Sequence, residues 1–150
     1  MTKEIKNKQT KEVKTKKTAA PAKAVVKKAA KPKKKEVELS LLDAIVAGMQ
    51  EKKAHQITVM DMRALSGSMC DYFVVCHGTS TTQAEAIARS VEEVVYKLLK
   101  IDPSHVEGVA NAEWILLDYF DIIAHVFVEE KRAFYGLERL WGDAEIKQIA

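Results

Sequence analysis

The stretch from Trp114 to Trp141, WILLDYFDIIAHVFVEEKRAFYGLERLW, constrains the fold of this chain more than any other. Two apolar runs, Trp114 to Asp118 and Ile122 to Val128, meet across Asp118, Tyr119, Phe120 and Asp121, and a connection that short demands an antiparallel hairpin. In the second run Ile122, Ala124, Val126 and Val128 alternate with Ile123 and Phe127. Both faces are apolar, so the pattern predicts a sheet with helices on both sides. Glu129 to Trp141 then reads as one amphipathic helix, with Phe134, Leu137, Leu140 and Trp141 along one side and acidic residues in the first turn, where the helix dipole favours them.

The upstream segments supply the rest of such a sheet. Ser40 is placed to cap a helix from Leu41 to about Lys52, whose buried face would carry Leu41, Leu42, Ile45, Val46 and Met49. Gln56 to Met62 alternates as a strand does, and Ser66, Gly67 and Ser68 mark a loop. The run DYFVVCHG, from Asp71 to Gly78, predicts a strand buried on both faces. Ser80 and Gln83 fit a capping box opening a helix whose apolar side holds Ala84, Ile87, Ala88, Val91, Val94, Val95, Leu98 and Leu99. Asp102-Pro103 ends it, because the residue before proline is pushed out of helical geometry. His105 to Val109 predicts a short strand. The order helix, strand, strand, helix, three strands, helix implies an α/β (α+β mixed) domain around a mixed sheet of about five strands.

Charge divides the chain in two. Met1 to Lys35 carries fourteen Lys against two Glu, about +12, while the remainder carries ten Lys and Arg against nineteen Asp and Glu, about −9. The first segment, with its KKTAAPAKAVVKKAAKPKKK run, has no aromatic residue and too little apolar surface to offset the entropy of ordering, so residues 1–36 are expected to be a disordered basic tail ahead of a domain spanning 37–150. It contains no Arg, unlike a typical transit peptide, and the chain has neither a secretory h-region nor a run long and apolar enough to span a bilayer. A cytoplasmic protein is the expectation. Lysines at this density suit contact with a phosphate backbone; a purely solubilising tail is the competing reading.

The residues able to do chemistry do not assemble into a complete catalytic set. Cys76 and His77 are adjacent on a predicted strand, so their side chains point to opposite faces, which argues against a thiolate dyad. Two cysteines without CxxC spacing give no zinc signal and suit a reducing compartment. Asp118 and Asp121 have the residue type of a metal-dependent nucleotidyltransferase, but their odd separation across a turn favours turn capping over metal binding. Gly78-Thr79-Ser80 at a helix start lacks the glycine-rich loop and Lys of a phosphate-binding loop. His125 falls on the face of Ile123 and Phe127, where a buried imidazole must find a partner or leave an unsatisfied group costing about 1 to 3 kcal/mol. Trp114 and Trp141, aromatic residues near acids at a sheet end, suit either a core or a protein-binding hot spot.

DYFVVCHGTSTTQAEAIA and WILLDYFDIIAHVFVEEKRAFYGLERLWGDA resemble the two signature blocks of the ribosomal silencing factor family, also called RsfS or Iojap, and the likeness runs from about Leu39 to Ala144. Asp71, Gly78, Thr79 and Ser80 match the first block. Trp114, Asp118, Tyr119, Asp121, His125, Glu130, Tyr135, Leu137, Glu138, Leu140 and Trp141 match the second. Phe120 departs from it, since Gly commonly stands there, and Thr81 and Thr82 replace the more usual polar pair ahead of Gln83.

The resemblance implies a nucleotidyltransferase-like fold without the catalytic carboxylates, no cofactor and no enzymatic activity. It implies a translation repressor that binds the large ribosomal subunit at the protein L fourteen and obstructs joining of the small subunit. Trp114, Asp118, Tyr119, Asp121, His125, Glu130 and Tyr135 would then contact the partner, and Asp71, Gly78, Thr79, Ser80, Leu137, Glu138, Leu140 and Trp141 would shape the domain. A tail contact to ribosomal RNA and a homodimer near the hairpin are further expectations. Two readings from other classes stand beside this one: a metal-dependent nucleotidyltransferase using Asp118 and Asp121, and a nucleic-acid-binding module whose affinity lies in the tail.

Overall fold

A computed structural model describes residues 41–149. The Lys-rich segment and the Ser40 cap lie outside the described residues. The described part opens on helix α1, residues 41–51, whose Leu41, Ala44, Ile45 and Met49 are buried. Strands β1, His55–Asp61, and β2, Tyr72–Gly78, follow, then helix α2, Thr81–Leu99. Strand β3, His105–Glu107, precedes the hairpin of β4, Trp114–Asp118, and β5, Ile122–Val128. The chain then forms α3, Glu129–Tyr135, α4, Leu137–Leu140, and β6, Glu145–Gln148.

The six strands make one mixed sheet in the order β3-β4-β5-β2-β1-β6. At its centre β2 and β5 run parallel, in register from Tyr72 against Ile122 to Gly78 against Val128. The other neighbouring pairs are antiparallel. Parallel neighbours require a crossover, which α2 begins, whereas the three-residue link from β4 to β5 permits only a hairpin. The mixed sheet expected from the sequence is therefore present, with one strand more than anticipated. That strand, β6, is exposed along its whole length and pairs with β1 from Thr58–Gln148 to Asp61–Glu145. Its EIKQ sequence has one apolar residue, so it carried no period-two apolar signal.

Side chains alternate across the sheet into two cores. Ile57, Val74, Cys76, Ile115, Leu117, Ile122, Ala124 and Val126 pack under α1 and α2. The two helices approach closely at Gly48, where a Cβ would come within 2.6 Å of the Val91 Cα, and Ser90 Oγ donates to the Gly48 carbonyl at 2.8 Å. Met60, Met62, Val75, Ile123, Phe127 and Leu137 form the second core on the other face. Burying a side chain such as Phe127, which is fully enclosed, contributes roughly 2 to 3 kcal/mol.

The second face is covered more thinly than the sequence suggests, because the single helix expected from Glu129 to Trp141 is two. Gly136 breaks it, adopting φ 56 and donating its N–H to the Arg132 carbonyl as a left-handed cap. The break changes the helical phase, so Leu137 stays buried while Phe134 is 74% and Leu140 70% exposed. Those two were expected on the buried side and are not there. On α2, Leu98 is likewise exposed, since it lies in the last turn, beyond the sheet-contacting residues Ala84 to Val95. His105 to Val109 shortens to the three residues of β3 as Gly108, at φ 85, turns the chain away.

Candidate partner-binding face

The register of the hairpin sets Trp114 opposite Phe127 and Leu116 opposite His125 on the thinly covered face. Trp114 stacks on Phe127 with ring centroids 5.0 Å apart and meets Tyr135 of α3 at 4.7 Å. Phe73 of β2 meets His125 edge-on at 4.6 Å and Trp141 at 6.2 Å. A continuous aromatic layer thus runs across β4, β5 and β2, with Tyr135 46% exposed at its margin. Aromatic pairs at these separations contribute about 0.5 to 1.5 kcal/mol beyond burial.

The Trp114 indole N–H donates to His125 Nδ1 at 3.1 Å. Because Nδ1 accepts, the neutral imidazole holds its proton on Nε2, which is buried and without a hydrogen-bond partner among the described residues. Burial brings the His125 pKa down to about 4, so the ring is neutral around pH 7. The sequence reading, that a buried imidazole here must find a partner or leave a group unsatisfied, meets both outcomes in one ring: Nδ1 is paired and Nε2 is not.

The hairpin tip uses its acids for turn geometry. Asp118 Oδ1 accepts the Phe120 N–H at 2.8 Å, an Asx-type cap, and Phe120 holds φ 71. The Asp121 carbonyl accepts from Asp71 N–H at 2.7 Å and Tyr72 N–H at 3.1 Å, so Asp71 and Asp121 tie the tip to the start of β2. Tyr119 was expected at the partner surface. It instead packs into the core beneath α1 and α2, 4% exposed, because the strand alternation carries it to the face opposite Trp114. Its hydroxyl is buried without a hydrogen-bond partner among the described residues, and burial first, then Glu92 and Asp102, pushes its pKa up. Glu130 is exposed in the first turn of α3.

At the start of α2, Ser80 Oγ accepts the Gln83 N–H at 3.1 Å, as the capping box predicts. The return bond differs. Gln83 Oε1 accepts from the Thr79 N–H at 2.8 Å, one residue earlier than expected, while Nε2 donates to the Lys52 and Lys53 carbonyls. Gly78 ends β2 directly before this corner. Cys70 and Cys76 are both buried free thiols, pushed up to about 11 and about 12 chiefly by burial. Among the described residues no group of three or more His, Cys, Asp or Glu is arranged to hold a metal ion, and no helix is long and apolar enough to cross a membrane.

Arg132 was not singled out in the sequence, yet it joins three parts of the fold. From α3 its Nη1 donates to the Gln56 carbonyl at 2.8 Å and to His77 Nδ1 at 3.0 Å, and its Nη2 donates to Thr58 Oγ1 at 3.1 Å. Its Nε and Nη2 both donate to Glu138 Oε2 of α4, the former at 3.0 Å. The corner that presents Tyr135 and Trp141 is therefore tied to β1 and β2 through one buried guanidinium. His77 accepts from it as a neutral ring, its pKa lowered by burial and then by the Arg132 charge. A charged residue within EEKRAFY reads as solvent-facing; only the helix break at Gly136 and the neighbouring Glu138 hint otherwise.

Known proteins are similar to this chain in sequence and in fold. Residues 32–150 match the model of the family described as ribosomal silencing factor during starvation. The ribosomal silencing factor RsfS of Halalkalibacterium halodurans is 39% identical over 109 residues, covering 73% of this chain and 92% of the relative. That of Bacillus subtilis is 37% identical over 110 residues, with 73% and 92% covered. A crystal structure of a protein from Bacillus halodurans superposes with a TM-score of 0.62 at 34% identity, covering 75% of this chain and 98% of that one.

Proposed function

The chain belongs to the ribosomal silencing factor family, and from that premise we propose that it represses translation by binding the large ribosomal subunit at the protein L fourteen and blocking access of the small subunit. The observation that carries this reading is the aromatic layer of Trp114, Phe127, His125, Phe73, Trp141 and Tyr135, laid across the sheet face that the short α3–α4 corner covers. Partly exposed aromatic side chains backed by a rigid sheet are the anchors that dominate protein interfaces. The acidic balance of the folded part favours a basic partner, such as a ribosomal protein, by electrostatic steering.

Action here is steric, so no residue needs to transfer a proton or hold a metal. Trp114 and Tyr135 supply contact area, His125 fixes the indole, and Arg132 with Glu138 fixes the corner. The Lys-rich segment adds affinity through the phosphate backbone of nearby ribosomal RNA, a contribution that weakens with salt.

A subunit-joining assay tests the proposal. Large subunits preincubated with the protein should form fewer complete ribosomes when small subunits are added, in proportion to the protein bound. Undiminished joining at saturating protein would overturn the repression mechanism.

A further inference from the structure

Phe120 stands out among the exposed apolar side chains of the described residues, because it is held where a residue with a Cβ is disfavoured. Its φ of 71 lies in the left-handed region, and its surface is 74% exposed. The turn explains the backbone but not the ring. Asp118 Oδ1 accepts the Phe120 N–H, the Asp121 N–H donates to the Tyr119 carbonyl, and the Tyr119 N–H donates to the Ile122 carbonyl. Glycine would satisfy all three bonds without strain. The ring gains little from the fold in return, and strained residues of this kind concentrate at sites of function.

The surroundings indicate what the ring meets. Asp118 caps the turn and Asp71 is bonded to Asp121 across it at 2.7 Å. Asp118 and Asp121 also stand on either side of Tyr119 and Phe120 in the turn, so the tip carries two acidic residues in sequence beside the ring-bearing position. Met69, two residues before Asp71, is 88% exposed. An aromatic turn flanked by acids repels phosphate and attracts Arg and Lys, whose cations also sit favourably over an aromatic face.

We propose that Phe120 is a docking prong, a side chain held outward by the hairpin turn to seat against a basic protein surface of the large ribosomal subunit. It rests on the large-subunit reading above and deepens it, adding a contact outside the residues that match the family's signature blocks.

The test uses the full chain as wild type, Phe120→Gly, Phe120→Trp and Trp114→Ala, with co-sedimentation on purified large subunits and thermal melting. Phe120→Gly is expected to melt within a few degrees of wild type or higher, yet to bind about tenfold more weakly. Phe120→Trp is expected to keep its binding. A photo-crosslinking benzophenone at position 120 is expected to join to ribosomal protein and not to RNA.

Wild-type affinity in Phe120→Gly, with binding lost in Trp114→Ala, would overturn the prong alone. Crosslinking to RNA would overturn the protein partner. A fall in melting temperature of more than about 5 °C in Phe120→Gly would show that the ring serves the fold. No binding by wild type would overturn the prong and the large-subunit reading together.

Discussion

Removing the Arg132 guanidinium would leave the Glu138 carboxylate, the Thr58 hydroxyl, the His77 Nδ1 and the Gln56 carbonyl without their shared donor. Arg132→Met is therefore expected to destabilise the protein by about 2 to 4 kcal/mol in urea unfolding. Arg132→Lys should recover only part of this, since an ammonium cannot reproduce the planar fork. His125 gives the pH dependence. Its folded pKa of about 4 lies below the ordinary value of 6.5, so between these values the unfolded chain binds more protons and stability falls as pH falls. The contribution is complete above about pH 6.5 and amounts to about 3 kcal/mol; His77, also lowered, acts in the same direction. Denaturant titrations from pH 7 to pH 4 should show a loss that His125→Phe reduces. The face occupied by His125 was legible from strand alternation alone. Arg132 was not, because, Glu138 apart, its partners Gln56, Thr58 and His77 lie far from it in the chain and no local pattern reports a contact that distant in sequence.

The helix that ends at Gly136 illustrates the same boundary among elements. Apolar spacing predicted the helical content of Glu129 to Trp141, but spacing is blind to the phase change at a left-handed glycine. Gly136→Ala must accept φ 56 and displace the Arg139 guanidinium, 2.5 Å from the new Cβ. The expected cost is about 1 to 2 kcal/mol in thermal melting, with weaker large-subunit binding because Tyr135 and Trp141 shift together. Gly48→Ala meets backbone, not a flexible side chain, 2.6 Å away at Val91. It should lower stability by about 2 kcal/mol or more through separation of α1 from α2. Strands β4 and β5 were legible to the residue, since a two-faced apolar run flanking a short polar link has few other solutions. Strand β6 was illegible because its pairing with β1 draws little on side-chain burial.

At the scale of the molecule, the two faces of the sheet are covered differently. One face is sealed by α1 and α2, and it claims Tyr119, which the resemblance had assigned to the partner. The other is closed over its centre by Leu137 and Trp141 and leaves Trp114 and Tyr135 at the rim. Fold class was legible because alternation and turn residues are local signals; the division of site residues between faces needed the hairpin register. Deleting Met1 to Lys35 is expected to leave large-subunit binding in place while flattening its salt dependence, measured by titration at rising ionic strength. The central claim is that the aromatic face engages the large subunit, and sucrose-gradient sedimentation with separated subunits addresses it most directly. Wild type and Tyr96→Ala, altered on α2, should migrate with the large subunit and not the small one, whereas folded Trp114→Ala combined with Tyr135→Ala should stay at the top of the gradient. Migration of that double variant with the large subunit at wild-type levels, or failure of wild type to migrate with it at any salt concentration, would contradict the account.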